Sequence, residues 1–421
     1  MEGFNENSSG PVVVLDIGSS SVRVAAFTRG PDDVGKPVLI EGSLAAMPCA
    51  LNGAGEGDPF ETRRCLELCM DLCMEGLRQS YQHTGEAALY PRVASVCCAS
   101  YAMSWLGVNS TTGHPCTPVY TYARADPSAP TAVEALRATL ASADEHALKR
   151  LYAETGVPIH SAYAPALIYQ LISLPTRSDY PNVHENDNNA SDACAENSSI
   201  TSRSSSSSSC HATGNLATSG VAENTVWQTI GAWVLAQWCG LISSPLSTSE
   251  ASWTGLLNVH KCEWHSELAT TLGLVLPSPD SFAPSDTPPS AAKTTTATTT
   301  TTGAYTAILE AVHKTTALYA GHLPPVVDYA SSNLGLTLAP AWAARWPELA
   351  HARWLLPLGD GACANIGTGC VDATQLACTV GTSAAVRIVL PAPPPLPLGP
   401  PLGLWCYRID NKRVLVITTT Q

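Results

Sequence analysis

From Val12 to Phe27 the chain carries two apolar runs separated by the short polar stretch Asp16-Ile17-Gly18-Ser19-Ser20-Ser21. A β-branched run ending in a carboxylate, then glycine and three hydroxyls, then alternating apolar and polar positions, predicts strand, tight turn and returning strand. Glycine at 18 permits close approach of a ligand, so the amides of Gly18, Ser19, Ser20 and Ser21 can face phosphate oxygens, with Asp16 holding a metal ion. An ordinary β-hairpin with a polar tip is the alternative reading.

Further along, Val38 to Glu41 reads as a strand, Pro59 to Tyr81 as a helix and Val93 to Cys98 as a short buried strand. Trp105 to Val108 and Val119 to Tyr122 read as strands, and Thr131 to Leu140 and Glu145 to Thr155 as helices. Gln228 to Leu241 is a Trp-bearing helix, Ser252 to Cys262 a turn and strand, and Glu263 to Leu272 a short helix. Asp328 to Leu356 is mixed loop and helix, and Trp405 to Ile409 and Val414 to Thr418 are the last strands. Strands interleaved with helices predict an α/β protein. Two tracts break the pattern. Residues 182–224 contain Ser204 to Ser209, and residues 277–302 end in a threonine run; such polar tracts bury too little apolar surface to offset ordering entropy and are expected to be disordered insertions.

Composition narrows this picture. The 421 residues allow two domains, and 45% hydrophobic with 14% charged residues suits a globular protein. A formal net charge of -13 argues against general nucleic-acid affinity, so an anionic ligand needs a local site. Met1 to Gly10 shows neither a secretory signal nor an Arg-rich transit peptide, and no run of about 18 apolar residues occurs, so a cytoplasmic protein without a membrane span is expected. The 15 cysteines are expected as free thiols. Cys65, Cys69 and Cys73 sit four apart, a spacing that fits a metal site or, in preference, a buried helix stripe beside Leu66 and Leu72.

Three turns share one logic: Asp16-Ile17-Gly18-Ser19, Gly359-Asp360-Gly361 and Gly381-Thr382-Ser383 each follow a strand-like run with glycine beside Asp, Ser or Thr. A nucleotide clamped between two walls requires such turns from distant parts of a chain. Single-segment phosphate signatures are absent: Gly35-Lys36 is followed by Pro37, and no G-x-G-x-x-G occurs. Gly381-x-Ser383-x-Ala385 lacks the second glycine of a hydrolase nucleophile elbow.

In order and spacing these segments resemble the FGGY family of carbohydrate kinases, which has an actin-like, ribonuclease H-like α/β fold. Asp16 to Arg23 is similar to the family's first phosphate motif, Leu358 to Gly369 to the segment with the catalytic aspartate, and Thr379 to Arg387 to the second phosphate motif. Thr155 to Tyr163 and Ala251 to Asn258 resemble segments of its gluconate kinase-like members. The resemblance implies ATP-dependent phosphorylation of a hydroxyl on a sugar, sugar acid or polyol, with a gluconate-like substrate favoured. Asp360 is then the catalytic base, and Asp16 and Asp360 the Mg2+ ligands. Gly18, Ser19, Ser20, Ser21, Arg23, Gly381, Thr382 and Ser383 hold the nucleotide, and Ser100, Tyr101, Met103, Arg124, Asp126 and His160 face the substrate.

Two departures stand out. Thr121-Tyr122-Ala123-Arg124-Ala125-Asp126 carries its two charges in the reverse of the family's T-Y-A-D-x-R order, and an aspartate cannot bind a sugar-acid carboxylate. The chain also reaches Gln421 before the Gly-rich, adenine-packing part of the family's second domain. The expected organisation is a domain over residues 11–365 and the start of a second over 366–421. A catalytically inactive sugar- or phosphate-binding protein and a sugar-independent actin-like ATPase use the same turns. The oligomeric state, homo-oligomer included, is left open by the sequence.

Overall fold

The protein is described by a computed structural model over residues 10–29, 36–83, 92–173, 224–277, 322–329, 334–380 and 384–420. Both polar insertions lie outside the described residues apart from Asn224 and Pro277, as does the Gly381-Thr382-Ser383 turn.

Strand β1 (Val12–Ile17) buries alternate residues Val13, Leu15 and Ile17, as a strand with one face on a core must. It returns antiparallel as β2 (Ser21–Arg29), with Asp16 opposite Arg23 and Ile17 opposite Val22. β3 (Pro37–Leu39) and β4 (Ala45–Pro48) both pair with β2; the first is shifted from its expected span and the second was not anticipated. On the other side of β1 lies β5 (Ser95–Ser100), parallel and in register from Val12↔Ser95 to Ile17↔Ser100. The short strands Arg353–Trp354 and Leu358–Gly359 add in parallel to β5, completing a seven-stranded sheet.

Helix α1 (Pro59–His83) lies on this sheet through Cys65, Leu66, Cys69, Met70, Cys73, Met74 and Leu77, every one fully or almost fully buried. The four-residue cysteine spacing is thus a core stripe. Burial pushes the Cys73 thiol up to about 12, the opposite of what a metal thiolate needs, and no group of three or more candidate metal ligands gathers among the described residues. Leu72, expected beside that stripe, is instead exposed on the far side of the helix. The Trp-rich stretch orders against the same helix: Arg345 pairs with Asp71 at 2.6 Å and Trp346 Nε1 donates to Asp71 at 2.8 Å.

Two further expectations change. Val119 to Tyr122 forms only single bridges, Gly57↔Val119 and Trp105↔Tyr120, because it runs between two segments rather than along either. The start of the Ser252–Cys262 stretch is the end of a helix, Thr248–Trp253, and only Leu257–Asn258 is extended, pairing with Glu263–Trp264. The Ala164–Ser173 helix, absent from the sequence reading, begins with Pro165 in its first turn, where a missing amide costs no helical hydrogen bond.

The last strands form a separate four-stranded antiparallel sheet in the order Leu376–Val380, Ala384–Leu390, Arg413–Thr420, Trp405–Asp410. Two of its contacts with the first part of the chain lie close to the site. Trp253 stacks on Tyr407 with ring centroids 3.7 Å apart and 15° between planes. Gly156, at φ +76°, accepts from the Cys406 amide at 2.9 Å, and a Cβ there would fall 2.1 Å from the Cys406 carbonyl oxygen.

Candidate functional site

The sheet register determines where the site lies. Ile17, Ser100 and Gly359 are partners across three adjacent parallel strands. The residues that follow them, Gly18, Tyr101 and Asp360, therefore leave the sheet together along its carboxyl-terminal edge. In open α/β sheets, ligands bind at that edge because the strands end there and the loops diverge. Tyr101 confirms the closeness locally, its amide donating to the Ile17 carbonyl at 2.8 Å.

At the first loop, the Gly18 amide donates to the Ser21 carbonyl at 3.0 Å and so closes the hairpin rather than facing a ligand. This corrects the expectation of four ligand-facing amides: a two-strand turn this tight needs one of them for itself. The Ser19 and Ser20 amides donate to no protein group among the described residues. Ser19 Oγ lies 3.1 Å from the Tyr122 hydroxyl, and the Ser20 carbonyl accepts from Cys49. Arg23 reaches back across the hairpin, Nη1 2.6 Å from Asp16 Oδ2. Asp16 Oδ1 has no protein partner among the described residues.

Asp360 opens the Asp360–Gly367 helix and accepts from the Gly361 amide at 2.7 Å, with a second backbone donor at Ala102. Its outer face is exposed, yet the protein packed around it raises the carboxyl above the usual carboxylate range, the two amides oppose that, Asp16 adds to it, and Arg387 lowers it. Asp16 and Arg387 are thus electrostatic neighbours of the candidate base. Arg387 donates to Thr379 Oγ1 at 2.9 Å, while its buried Nε has no protein partner among the described residues. The sequence reading placed Arg387 in a phosphate segment and gave it no role; a charge close to Asp360 only in space leaves no sequence signal.

Beside Asp360 the structure holds a small cavity of about 30 Å³. Ser100, Tyr101 and Met103 line it, as do Ser104, Tyr163 and Trp253. Tyr101 and Ser100 are buried, and Tyr101 also packs into the main hydrophobic core. Met103 adopts φ +57°, a left-handed conformation that an unbranched side chain accepts only at some cost and that recurs at ligand sites.

Arg124, Asp126 and His160 do not line this cavity. Arg124 is held by Asp126 at 2.5 Å, Glu56 at 3.2 Å and Gln170 at 2.9 Å, and lies over the Tyr120 ring. The exchanged charges therefore still make a pair, but one that neutralises itself. Exposed His160 accepts from the Ala162 amide at 3.1 Å, and the protein on one side of its ring, together with Arg137, lowers its basicity.

Sequence reasoning missed Glu250 and Trp253 as cavity residues. Glu250 is buried, accepts from Thr229 Oγ1 at 2.8 Å, and leaves Oε2 without a protein partner among the described residues. Burial raises its carboxyl to about 8. Ser247-x-x-Glu250 carries the signature of a helix-capping box, which hides the deviation: Ser247 does cap Glu250 N, but the glutamate side chain turns to Thr229.

No family model matches this sequence, and no curated protein is similar to it. Among solved structures, the chain resembles a gluconate kinase from Lactobacillus acidophilus (TM-score 0.60, 16% identity), covering 97% of this chain and 59% of that one. A xylulose kinase from Rhodospirillum rubrum gives TM-score 0.60 at 13% identity, covering 98% and 60% of the two chains. Plasmodium falciparum glycerol kinase with ADP gives 0.57 at 12%, covering 97% and 60%. The chain thus spans about 60% of the length of the structures it matches. At these identities the likeness establishes the fold: the chain has the mixed α/β, actin-like ATPase fold of the sugar kinases.

Proposed function

We propose that the protein is an FGGY-type carbohydrate kinase that transfers the γ-phosphoryl group of ATP to a hydroxyl of a sugar or polyol. The observation that carries this reading is the shared register of Ile17, Ser100 and Gly359, which gathers the candidate phosphate turn, the cavity wall and Asp360 on one sheet edge. Asp360 accepts the hydroxyl proton as the oxygen attacks phosphorus. The Gly361 and Ala102 amides aim its carboxylate, and packing around it raises its basicity above that of an ordinary aspartate. The free amides at Ser19 and Ser20 take phosphate oxygens, and Arg387 supplies positive charge near the transferred group.

The residues present fit a Mg2+ ion. Asp16 and Asp360 are hard oxygen donors, Asp16 close enough to disfavour the Asp360 charge, and Mg2+ is typically held by one or two carboxylates with several waters. When bound it supplies charge neutralisation at the phosphates. Domain boundaries near residue 365 follow from the same reading, since the second sheet begins after the Asp360–Gly367 helix.

The test is ADP release by the full chain, coupled to a chromogenic reaction, against glycerol, pentuloses, polyols and gluconate, with Asp360→Ala alongside. Substrate-dependent release lost in the variant supports the kinase. Release without any sugar points to an ATPase, and none under any condition rejects both.

A further inference from the structure

The cavity beside Asp360 contains more unsatisfied polarity than a folded core tolerates without a reason. Among the described residues, Ser100 Oγ, Glu250 Oε2 and Trp253 Nε1 are all buried without a protein hydrogen-bond partner, and all three residues line this one cavity. They are 1%, 3% and 6% exposed. Each such atom is costly if nothing answers it. Together they offer a hydroxyl that donates or accepts, a carboxyl and an indole donor, the complement of several hydroxyl groups.

The same wall lacks what a sugar acid needs. Among the described lining residues there is no lysine, arginine or histidine. Of the cations outside that lining, Arg124 is committed to Asp126, Glu56 and Gln170 and Arg137 to the Ile159 carbonyl at 2.8 Å, while Arg387 stands beside Asp360. His160, its basicity lowered by the protein packed on it and by Arg137, lies outside the cavity. Asp16 and Asp360 add negative charge at the adjoining strand ends. A carboxylate among these lining residues would meet no cation, and an unpaired buried charge is far costlier than an unpaired hydroxyl.

We propose that this cavity selects uncharged polyhydroxy substrates over sugar acids, with Glu250, Ser100 and Trp253 forming its hydrogen-bonding floor. The assignment rests on the carbohydrate-kinase reading and replaces the gluconate-like preference suggested by the sequence. Glu250 is the specificity-determining residue. One oxygen is engaged with Thr229, so the other is the one left for a ligand, and burial favours the neutral acid, which both donates and accepts.

The experiment measures binding to the full chain without nucleotide, by calorimetry and tryptophan fluorescence, for three matched pairs: glycerol and glycerate, xylitol and xylonate, glucitol and gluconate. The expected result is that, in any pair that binds, the neutral member binds at least tenfold more tightly. Glu250→Ala should weaken that binding tenfold or more, with Glu250→Gln restoring most of it. Ser100→Ala, a smaller change, should weaken it several-fold and serves if Glu250→Ala does not fold. Equal or tighter binding of the acid member overturns the proposal, as does binding of none of the six, or folded Glu250→Ala and Ser100→Ala proteins that both bind like the parent. Failure of the kinase reading looks different: selective binding of the neutral member persists, but no ADP forms when ATP is added.

Discussion

A Cβ on Gly359 would fall 2.3 Å from Trp253 Nε1, so the indole occupies the space that any larger residue at 359 requires. Trp253 in turn stacks on Tyr407 of the second sheet, and Gly359 directly precedes Asp360. One contact thus couples the position of the candidate base, a cavity wall and the docking of the two sheets. Gly359→Ala should destabilise the protein by about 1–3 kcal/mol, as overpacked cores do. Urea melts check this, and Trp253→Leu in the same chain should recover part of the loss, because the two changes share one space.

Asp360→Asn keeps the shape of the helix start but removes the base. Turnover should fall by a factor of about 10² to 10⁴ while the affinity for the neutral substrate changes little. The base must be ionised to act, so in the parent kcat/KM should rise with pH through a carboxyl above its ordinary range. Arg387 lowers that carboxyl, so Arg387→Gln should move the acidic limb to higher pH. A pH-rate profile whose acidic limb is unmoved in Arg387→Gln would separate the two residues.

Glu250 makes stability depend on pH. Its carboxyl is raised from 4.5 to about 8 in the folded protein, so the folded state holds this proton more tightly than the unfolded one. That contribution is fully present below pH 4.5 and is lost as pH rises towards 8, at up to about 1.4 kcal/mol per pH unit. Melting temperatures of Glu250→Gln measured from pH 5 to 8 should show a flatter decline than the parent. An identical slope in the two proteins would mean the glutamate is ionised or solvated in the fold.

On the proposed reading, Arg124 serves structure rather than substrate charge. Arg124→Met leaves Glu56 and Asp126 without their cation and should cost about 1–3 kcal/mol in chemical denaturation. It should leave the ratio of neutral-polyol to sugar-acid binding unchanged, read by calorimetry on one matched pair. A variant that gains or loses sugar-acid binding would place Arg124 in recognition.

The parts of the site that were legible in sequence are those written in contiguous residues. The Val12–Phe27 hairpin shows in its alternation and its small-residue turn, and α1 shows in its stripe of Cys65, Cys69, Cys73 and their neighbours. Asp360 could be singled out because glycines flank it at the end of an apolar run. The Gly18 amide could not be assigned, since whether a turn donates inward or outward depends on how tightly the two strands close. Glu250 was hidden more deeply: its spacing from Ser247 has a sufficient local explanation, and only Thr229, 21 residues away, shows that its side chain turns elsewhere.

By itself, then, the sequence determined the opening hairpin, the cysteine stripe of α1 and the order of the Asp- and Gly-bearing turns, because periodicity and turn chemistry are local properties of the chain. The tertiary structure decided the register that aligns Ile17, Ser100 and Gly359, the capture of Arg124 by Glu56 and Asp126, and the burial of Glu250 against the cavity. Those are relations between distant segments. Their energies arise from desolvation and from charges brought close only by folding, and a linear pattern does not contain them.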